Sequence, residues 1–313
     1  VSIFTTGLFS LAEKMEVIRF FTTLESIDTA QLLDTSVQDW VNRTFKHETT
    51  RNFVKAFVRV TTYGNAPELM SSGTVLAQIQ FALKHQVLYL HGGGYVVLSP
   101  TSHAKLTAGI AKAVGCRVVS VDYRLAPEHP YPAGPDDGIA VTKWLLENAE
   151  REFGSGRLIT GGESAGGYMA AAVLLRARDE LQAIDRFLGA NLVFGVFDWG
   201  RSPSQRGLRA HEGPDVLDPT SILFFTDCYL PGRSDDARRD PAISPAFADL
   251  RGLPPALLSV GTTDHLLDDT LMLASRYAAA GNDTELFVAP DMPHGFLFFP
   301  CALTARWFDR SAK

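Results

Sequence analysis

Apolar and polar residues alternate with different periods along the chain, and the changes of period divide it. From residue 1 to about 48, apolar residues recur three or four positions apart, as at Leu8 and Leu11. This spacing is typical of amphipathic helices and predicts two of them. Residues 53–60 and 74–81 contain short apolar stretches, which we interpret as two strands.

Beyond these stretches, short apolar runs alternate with helix-like segments. The predicted strands are 87–90, 117–123, 158–160, 191–197, 256–260 and 285–289. The predicted helices are 103–114, 135–151, 165–180 and 268–280. Apolar strands that alternate with helices indicate an α/β protein with a mostly parallel sheet and helices on both faces. In such sheets ligands bind beyond the carboxyl ends of the strands, so the chemistry is expected there.

One segment interrupts this alternation of strands and helices. Residues 198 to about 247 contain six prolines around a single helix-like stretch, 220–229. A long insertion in an α/β domain is usually functional and often acts as a lid. We therefore expect this insertion to cover the carboxyl edge of the sheet.

Composition narrows the class of protein. Of 313 residues, 46% are hydrophobic and 20% charged, as in ordinary globular proteins, and the formal net charge is −6. The absence of a long basic run argues against a nucleic-acid partner, and no apolar stretch is long enough for a membrane span. Three widely spaced cysteines and no evident secretory signal favour a cytoplasmic location.

A glycine-rich turn carries the candidate nucleophile. Residues 162–166 read Gly-Glu-Ser-Ala-Gly directly after a predicted strand, which fits the G-x-S-x-G nucleophile elbow. A sharp strand-to-helix turn brings neighbouring backbones close together, so that small residues are needed on either side of Ser164. The motif alone also fits a plain glycine-rich helix start. A phosphate-binding loop fits poorly, because no lysine follows in register.

A second glycine cluster supports the elbow interpretation. His91 and three glycines directly follow the predicted strand 87–90, and esterases use such a turn to present backbone N–H groups to an oxyanion. The expected donors are Gly93, Gly94 and Ala165, with Gly92 as a further candidate. Glycine is needed because a Cβ atom would obstruct the approaching acyl oxygen.

A serine nucleophile needs an imidazole and a carboxylate, which in this fold follow it along the chain. His294 is the histidine that remains after chain order and position are considered, and it follows the last predicted strand; a surface turn is the alternative. Asp264 follows the strand before it and is the first choice for the acid, with Asp268 second. Asp291 is too close to His294 in the sequence.

Ordered blocks of residues resemble the hormone-sensitive-lipase-like carboxylesterases, also called bacterial family IV esterases, of the α/β-hydrolase superfamily. The resemblance covers about residues 53–308. The blocks that carry it are His91–Gly94, Asp122–Glu128, Gly162–Gly167, Asp240–Pro245, Leu253–Ala256, Asp264–Leu266 and His294–Phe296. Two residues depart from the usual pattern: Glu163 stands where Asp or Thr is more common, and Leu267 replaces a common arginine.

The resemblance implies the α/β-hydrolase fold with an eight-stranded sheet and a helical cap. It divides the chain into N-terminal helices that contribute to the cap, residues 1–48, a catalytic core formed by 49–197 and 248–313, and a cap insertion, 198–247. It also implies that no cofactor or metal is required. Pairing into a homodimer through the edge strand 285–289 occurs in similar enzymes and is left open here.

These observations predict hydrolysis of a small-molecule ester through an acyl-enzyme, with Ser164, His294 and Asp264 as the triad. Activity should fall below about pH 6 to 7, where an imidazole base becomes protonated. Short acyl chains, roughly C2 to C8, are expected because the cap limits the acyl pocket. Aromatic residues that line this pocket, or equally belong to a core, are Phe4, Phe9, Phe20, Phe21, Phe224 and Phe225. An amidase, deacetylase or formamidase with the same triad and a small-ligand receptor are the alternatives.

Overall fold

A computed structural model describes residues 9–62, 66–207 and 216–311. The chain separates into two compact units, residues 1–84 and 85–313. Phe4, one of the candidate pocket residues, lies outside the described residues.

The first unit is helical. Its helices are α1 (Leu11–Thr23), α2 (Val37–Thr44), α3 (Glu48–Thr62) and α4 (Ser72–Lys84). Helix α1 begins with a capping box, in which Ser10 accepts from the Glu13 N–H and Glu13 accepts from the Ser10 N–H. A shared core of aromatic and aliphatic side chains lies between these helices, and it includes Phe20, Leu24, Trp40, Val41 and Phe45.

The predicted strands at 53–60 and 74–81 are wrong, because both segments are helical. Val54 and Val58, four positions apart, are buried in the core of the first unit, as are Leu76 and Ile79. Side chains three or four positions apart lie on one face of a helix, whereas burial on one face of a strand requires alternate positions. The short apolar runs concealed this longer period.

The second unit is built on a parallel sheet. Its strands are β1 (His85–Leu90), β2 (Arg117–Val121), β3 (Arg157–Glu163), β4 (Phe187–Val193), β5 (Ala256–Gly261) and β6 (Thr284–Ala289). Within the described residues the sheet has six strands in the order β2-β1-β3-β4-β5-β6, and neighbouring strands are parallel. The expected eight strands are therefore not confirmed, since the two additional candidates are helices.

The helices of the second unit are α5 (Ala104–Val114), α6 (Ala133–Phe153), α7 (Ala165–Asp179), α8 (Pro219–Tyr229), α9 (Asp235–Arg238), α10 (Leu267–Ala279) and α11 (Ala302–Ser311). The sequence predicts α5, α6, α7, α8 and α10, which are confirmed, but not α9 or α11. Strand β4 begins and ends earlier than the predicted 191–197, and Phe194, directly after it, has a positive φ of 33°. None of the described helices has the length and apolar character to cross a bilayer.

Strand register brings distant motifs to one edge of the sheet. Leu90, the last residue of β1, pairs with Gly162 of β3, so the glycine turn at 91–94 begins beside the elbow. Gly261, the last residue of β5, pairs with Ala289 of β6. The segments that carry the candidate acid and base therefore leave the sheet side by side.

A buried carboxylate holds the start of the insertion 198–247. Asp269 of α10 has no exposed surface and accepts from the backbone N–H groups of Phe197 and Asp198. It also accepts from the Ser202 hydroxyl and the Gln205 side-chain amide. Buried hydrogen-bond donors need acceptors, so the Asp269 side chain fixes the path of the backbone at the start of the insertion.

We expect Asp269→Ala to lower the free energy of unfolding by about 3 kcal/mol or more, because several buried donors lose their acceptor. The matched control is Asp268→Ala, which removes one part-buried hydrogen bond from the Ser204 N–H and should cost about 1 kcal/mol. Urea unfolding of both variants measures the difference. Equal losses of stability would contradict the anchoring role of Asp269.

Candidate active site

Ser164 occupies a strained turn between β3 and α7. Its backbone has a φ of 56° and a ψ of −121°, and its N–H donates to the Val193 carbonyl at 2.9 Å. A Cβ atom at Gly162 would lie 2.4 Å from the Leu90 carbonyl oxygen, and one at Gly166 would lie 1.8 Å from it. The flanking glycines are therefore required by close backbone approach, as the G-x-S-x-G motif predicted.

The structure brings Ser164, His294 and Asp264 together. His294 Nε2 lies 2.9 Å from Ser164 Oγ, and His294 Nδ1 lies 2.9 Å from Asp264 Oδ2. An ionised carboxylate only accepts hydrogen bonds, so Nδ1 carries the proton and Nε2 can accept from the serine hydroxyl. Asp264 is buried, and its other oxygen accepts from the Leu266 N–H at 2.8 Å. These contacts fix both the carboxylate and the imidazole tautomer.

The two other candidate acids lie in different settings. Asp268 accepts from the Ser204 N–H at 2.8 Å, on the side of the insertion. Asp291 lies in a turn with a φ of 57°, where its own N–H donates to Thr262 Oγ1. Leu267, in place of the usual arginine, is the first residue of α10 and is buried.

The glycine turn after β1 has backbone angles that favour glycine. Gly93 and Gly94 have φ values of 116° and 60°, and the Gly93 carbonyl accepts from the Val96 and Val97 N–H groups. A Cβ atom at Gly94 would lie 2.5 Å from the Phe225 ring. The remaining candidate, Gly92, donates its N–H to Glu163 Oε1 at 2.5 Å, so that amide is already used within the protein.

A small pocket of about 30 Å³ opens beside the serine. Its walls are contributed by the glycine turn, the elbow and the insertion, and comprise Gly94, Tyr95, Ser164, Ala165, Val196, Trp199, Leu217, Ile222, Phe225 and Thr226. Of the candidate aromatic residues, Phe225 lies in this wall, whereas its neighbour Phe224 is 58% exposed. Phe9, Phe20 and Phe21 belong to a cluster of rings in the first unit.

Sequence reasoning missed a buried polar cluster behind the nucleophile. The Glu163 carboxylate is 1% exposed; it accepts from the Tyr89 hydroxyl and lies 2.8 Å from His103 Nε2. His103 was set aside because it precedes Ser164 in the chain. One available signal was Glu163 itself, since an ionisable residue at the end of a buried strand needs polar partners.

Comparisons with known proteins agree with this fold. A family model described as alpha/beta hydrolase fold matches residues 87–298. The carboxylesterase NlhH of Mycobacterium tuberculosis is 37% identical over 225 residues, which make up 70% of this chain and 68% of that protein. The ethyl acetate hydrolase of Pseudomonas putida is 33% identical over 216 residues, covering 67% of this chain and 65% of that protein.

A solved structure, that of an esterase from Pyrobaculum calidifontis, superposes with a TM-score of 0.67 and 31% sequence identity, over 73% of this chain and 75% of that one. The parallel sheet with a serine in a strained strand-to-helix turn is the α/β-hydrolase fold. The chain belongs to the hormone-sensitive-lipase-like carboxylesterase family of this superfamily.

Because the elbow backbone packs against β1, we expect Gly166→Ala to destabilise the fold by about 3 kcal/mol or more. The matched control is Gly189→Ala in β4, whose added Cβ would meet its nearest atom at 3.4 Å, an ordinary contact. The control should stay within about 1 kcal/mol of the wild type. Thermal unfolding compares the two, and similar melting temperatures would refute the crowding argument.

Proposed function

We propose that this protein is a serine carboxylesterase that hydrolyses short- to medium-chain acyl esters through an acyl-enzyme on Ser164. The observation that carries the proposal is the unbroken hydrogen-bonded series from Ser164 Oγ through His294 to Asp264. The relatives named carboxylesterase and ethyl acetate hydrolase support ester hydrolysis and do not favour the amidase alternative.

In the first half-reaction, Ser164 Oγ bonds to the ester carbonyl carbon while His294 Nε2 takes the hydroxyl proton. Asp264, held on Nδ1, stabilises the imidazolium that forms. The carbonyl oxygen becomes an oxyanion, which the N–H groups of Gly93, Gly94 and Ala165 receive. Each such donor typically contributes about 2.7–4 kcal/mol of transition-state stabilisation.

The intermediate then collapses as the bond between the carbonyl carbon and the alkoxy oxygen breaks. His294 returns its proton to the leaving alcohol, and the acyl group stays on Ser164. Water attacks the acyl carbon with His294 as the base, and the acid is released as the serine regains its hydrogen. All the required groups are side chains or backbone amides of this chain.

The proposed preference for short acyl chains rests on the pocket beside Ser164. The pocket is small, about 30 Å³, and the Phe225 ring forms the wall next to Gly94. A long acyl group therefore meets this ring sooner than a short one does, and must displace it or extend into solvent. The name of the ethyl acetate hydrolase relative, which refers to a two-carbon acyl group, is in line with this size.

Finer expectations belong to the same proposal. The insertion 198–247, with the helices in 1–48, is proposed to act as the cap. The three unpaired cysteines support a cytoplasmic location. Homodimer formation along β6 is supported by its place at the sheet edge and by Leu286 and Val288, which are 39% and 36% exposed. Nothing in the charge pattern favours a nucleic-acid partner.

The triad assignment predicts distinct effects for neighbouring acids. Ser164→Ala should lower kcat for p-nitrophenyl butyrate at least about 10⁴-fold. Asp264→Asn should lower it about 10⁴-fold, because an amide N–H₂ group facing Nδ1 forces the wrong tautomer. The control Asp268→Asn should retain most of the activity. The assignment fails if Asp268→Asn is as damaging as Asp264→Asn, or if Ser164→Ala turns over like the wild type, as a receptor would.

The pocket predicts how one ring sets acyl preference. Phe225→Ala should shift the ratio of kcat/KM for decanoate over butyrate esters upward by about tenfold, because an apolar pocket discriminates by about 1–3 kcal/mol. Phe224→Ala, the exposed neighbour, is the matched control and should leave the ratio unchanged. A panel of p-nitrophenyl esters measures both. An equal shift in the two variants would remove Phe225 from the acyl pocket.

A further inference from the structure

The Glu163 carboxylate joins three segments directly behind the nucleophile. Oε2 accepts from the Tyr89 hydroxyl on β1, and Oε1 accepts from the Gly92 N–H at 2.5 Å. Oε1 also lies 2.8 Å from Nε2 of His103, the residue immediately before α5. One carboxylate therefore holds the glycine turn 91–94, which carries two of the proposed oxyanion donors and is called the oxyanion turn below. A nearly buried histidine faces the same oxygen.

The contacts of His103 indicate a protonated ring. Nδ1 lies 3.2 Å from the Ser99 carbonyl oxygen and 3.0 Å from Ser102 Oγ. The Ser102 hydroxyl donates its hydrogen to the Ser99 carbonyl at 2.7 Å, so both atoms around Nδ1 are acceptors. Nε2 faces the carboxylate, which also accepts. With the Ser99 carbonyl near Nδ1 and the Glu163 carboxylate near Nε2, an imidazolium has a negatively polarised partner at each nitrogen.

The ionisable groups around His103 and Glu163 do not compete with the ion pair of these two side chains. Burial alone would lower the pKa of His103, but the hydrogen bond and charge of Glu163 outweigh it and raise that pKa above its ordinary value. Burial lowers the pKa of His91, whose ring lies 5.4 Å from that of His103, and so favours its neutral form. Burial raises the pKa of Tyr89 and of Tyr123, which keeps both phenols neutral.

The remaining neighbours are an apolar ring and an exposed acid. Phe298, from the segment after His294, places its ring edge-on to His103, with centroids 5.7 Å apart. Asp122 is exposed at the end of β2, and its charge acts in the direction that raises the pKa of His91, although burial dominates there. Among these groups, His103 supplies the positive charge next to the buried carboxylate.

We propose that Glu163 and His103 are positioning residues for ester hydrolysis, in which the His103 imidazolium neutralises the carboxylate that holds the oxyanion turn. This inference rests on the proposed function. If His103 loses its proton, an uncompensated carboxylate remains behind Ser164, in a buried setting where charges interact strongly. That negative charge opposes the developing oxyanion, so the reaction slows at alkaline pH.

The consequence is a second limb in the pH–rate profile. An esterase limited by its triad base alone rises with pH and then levels off, whereas this protein should fall again as His103 deprotonates. The fall should appear in kcat with little change in KM, because the oxyanion turn acts in the transition state and not in substrate binding. We expect a decrease of about tenfold from the plateau, less than complete loss of one oxyanion donor.

The test measures kcat and KM for ethyl butyrate by pH-stat from about pH 5 to about pH 10. His103→Gln and Glu163→Gln should each lack the alkaline limb. His103→Gln has no imidazolium to lose its proton, and Glu163→Gln has no carboxylate whose charge could become uncompensated. The exposed His129→Gln is the matched control and should keep the limb. Circular dichroism at each pH separates unfolding from a change in rate.

Several outcomes would overturn the inference. A wild type that stays on its plateau, or a limb that persists in Glu163→Gln or in His103→Gln, is incompatible with it. Variants that only lower the melting temperature and keep the wild-type profile would show a purely structural cluster. Should both variants fail to fold, nitrogen-15 NMR of the wild type must find a histidine, ion-paired in the interior, that loses its proton over the same pH range as the limb.

The proposed function has a separate readout in the same experiment. Labelling of Ser164 by a fluorophosphonate and wild-type turnover of ethyl butyrate report on the triad. If the wild type shows neither labelling of Ser164 nor turnover of ethyl butyrate, the esterase proposal is refuted. Normal labelling and turnover without an alkaline limb would refute only the role of His103 and Glu163.

Discussion

The close approach between the elbow and β1 is the constraint on which the rest of the site depends. The Leu90 carbonyl oxygen lies where a Cβ atom of Gly162 or of Gly166 would stand. This packing allows the chain to reverse within one residue, and the cost is the unusual backbone of Ser164. The serine hydroxyl is thereby placed at the sheet edge at the start of α7, where backbone N–H groups favour a developing negative charge.

The same approach places the oxyanion turn. Because β1 and β3 are paired through Leu90 and Gly162, the glycine turn leaves β1 next to the elbow. Glu163 strengthens this junction, since its carboxylate accepts from the Gly92 N–H on one side and belongs to the elbow on the other. A shorter or uncharged residue at this position would make a different junction, so the departure from the usual Asp or Thr has a physical consequence.

The acid and the base reach the serine through a second pair of strands. Gly261 and Ala289 end β5 and β6 in register, and the turns that follow carry Asp264 and His294. The buried carboxylate of Asp269, in the first turn of α10, accepts from the backbone N–H groups of Phe197 and Asp198, where the insertion begins. The helix that directly follows the Asp264 turn therefore also holds the start of the insertion.

The sequence alone determined the local features of this protein. Turns that require glycine are specified by adjacent residues, so the elbow and the oxyanion turn could be recognised without a structure, and apolar runs located the six strands. The helices α3 and α4 are predicted as strands from the sequence because apolar runs of two or three residues satisfy either period, and only the core of the first unit selects the helical one. Only the tertiary structure shows that Asp264, and not Asp268, contacts His294 and that Glu163 lies against His103. Those residues are brought together by strand register and helix packing, which depend on contacts between distant parts of the chain.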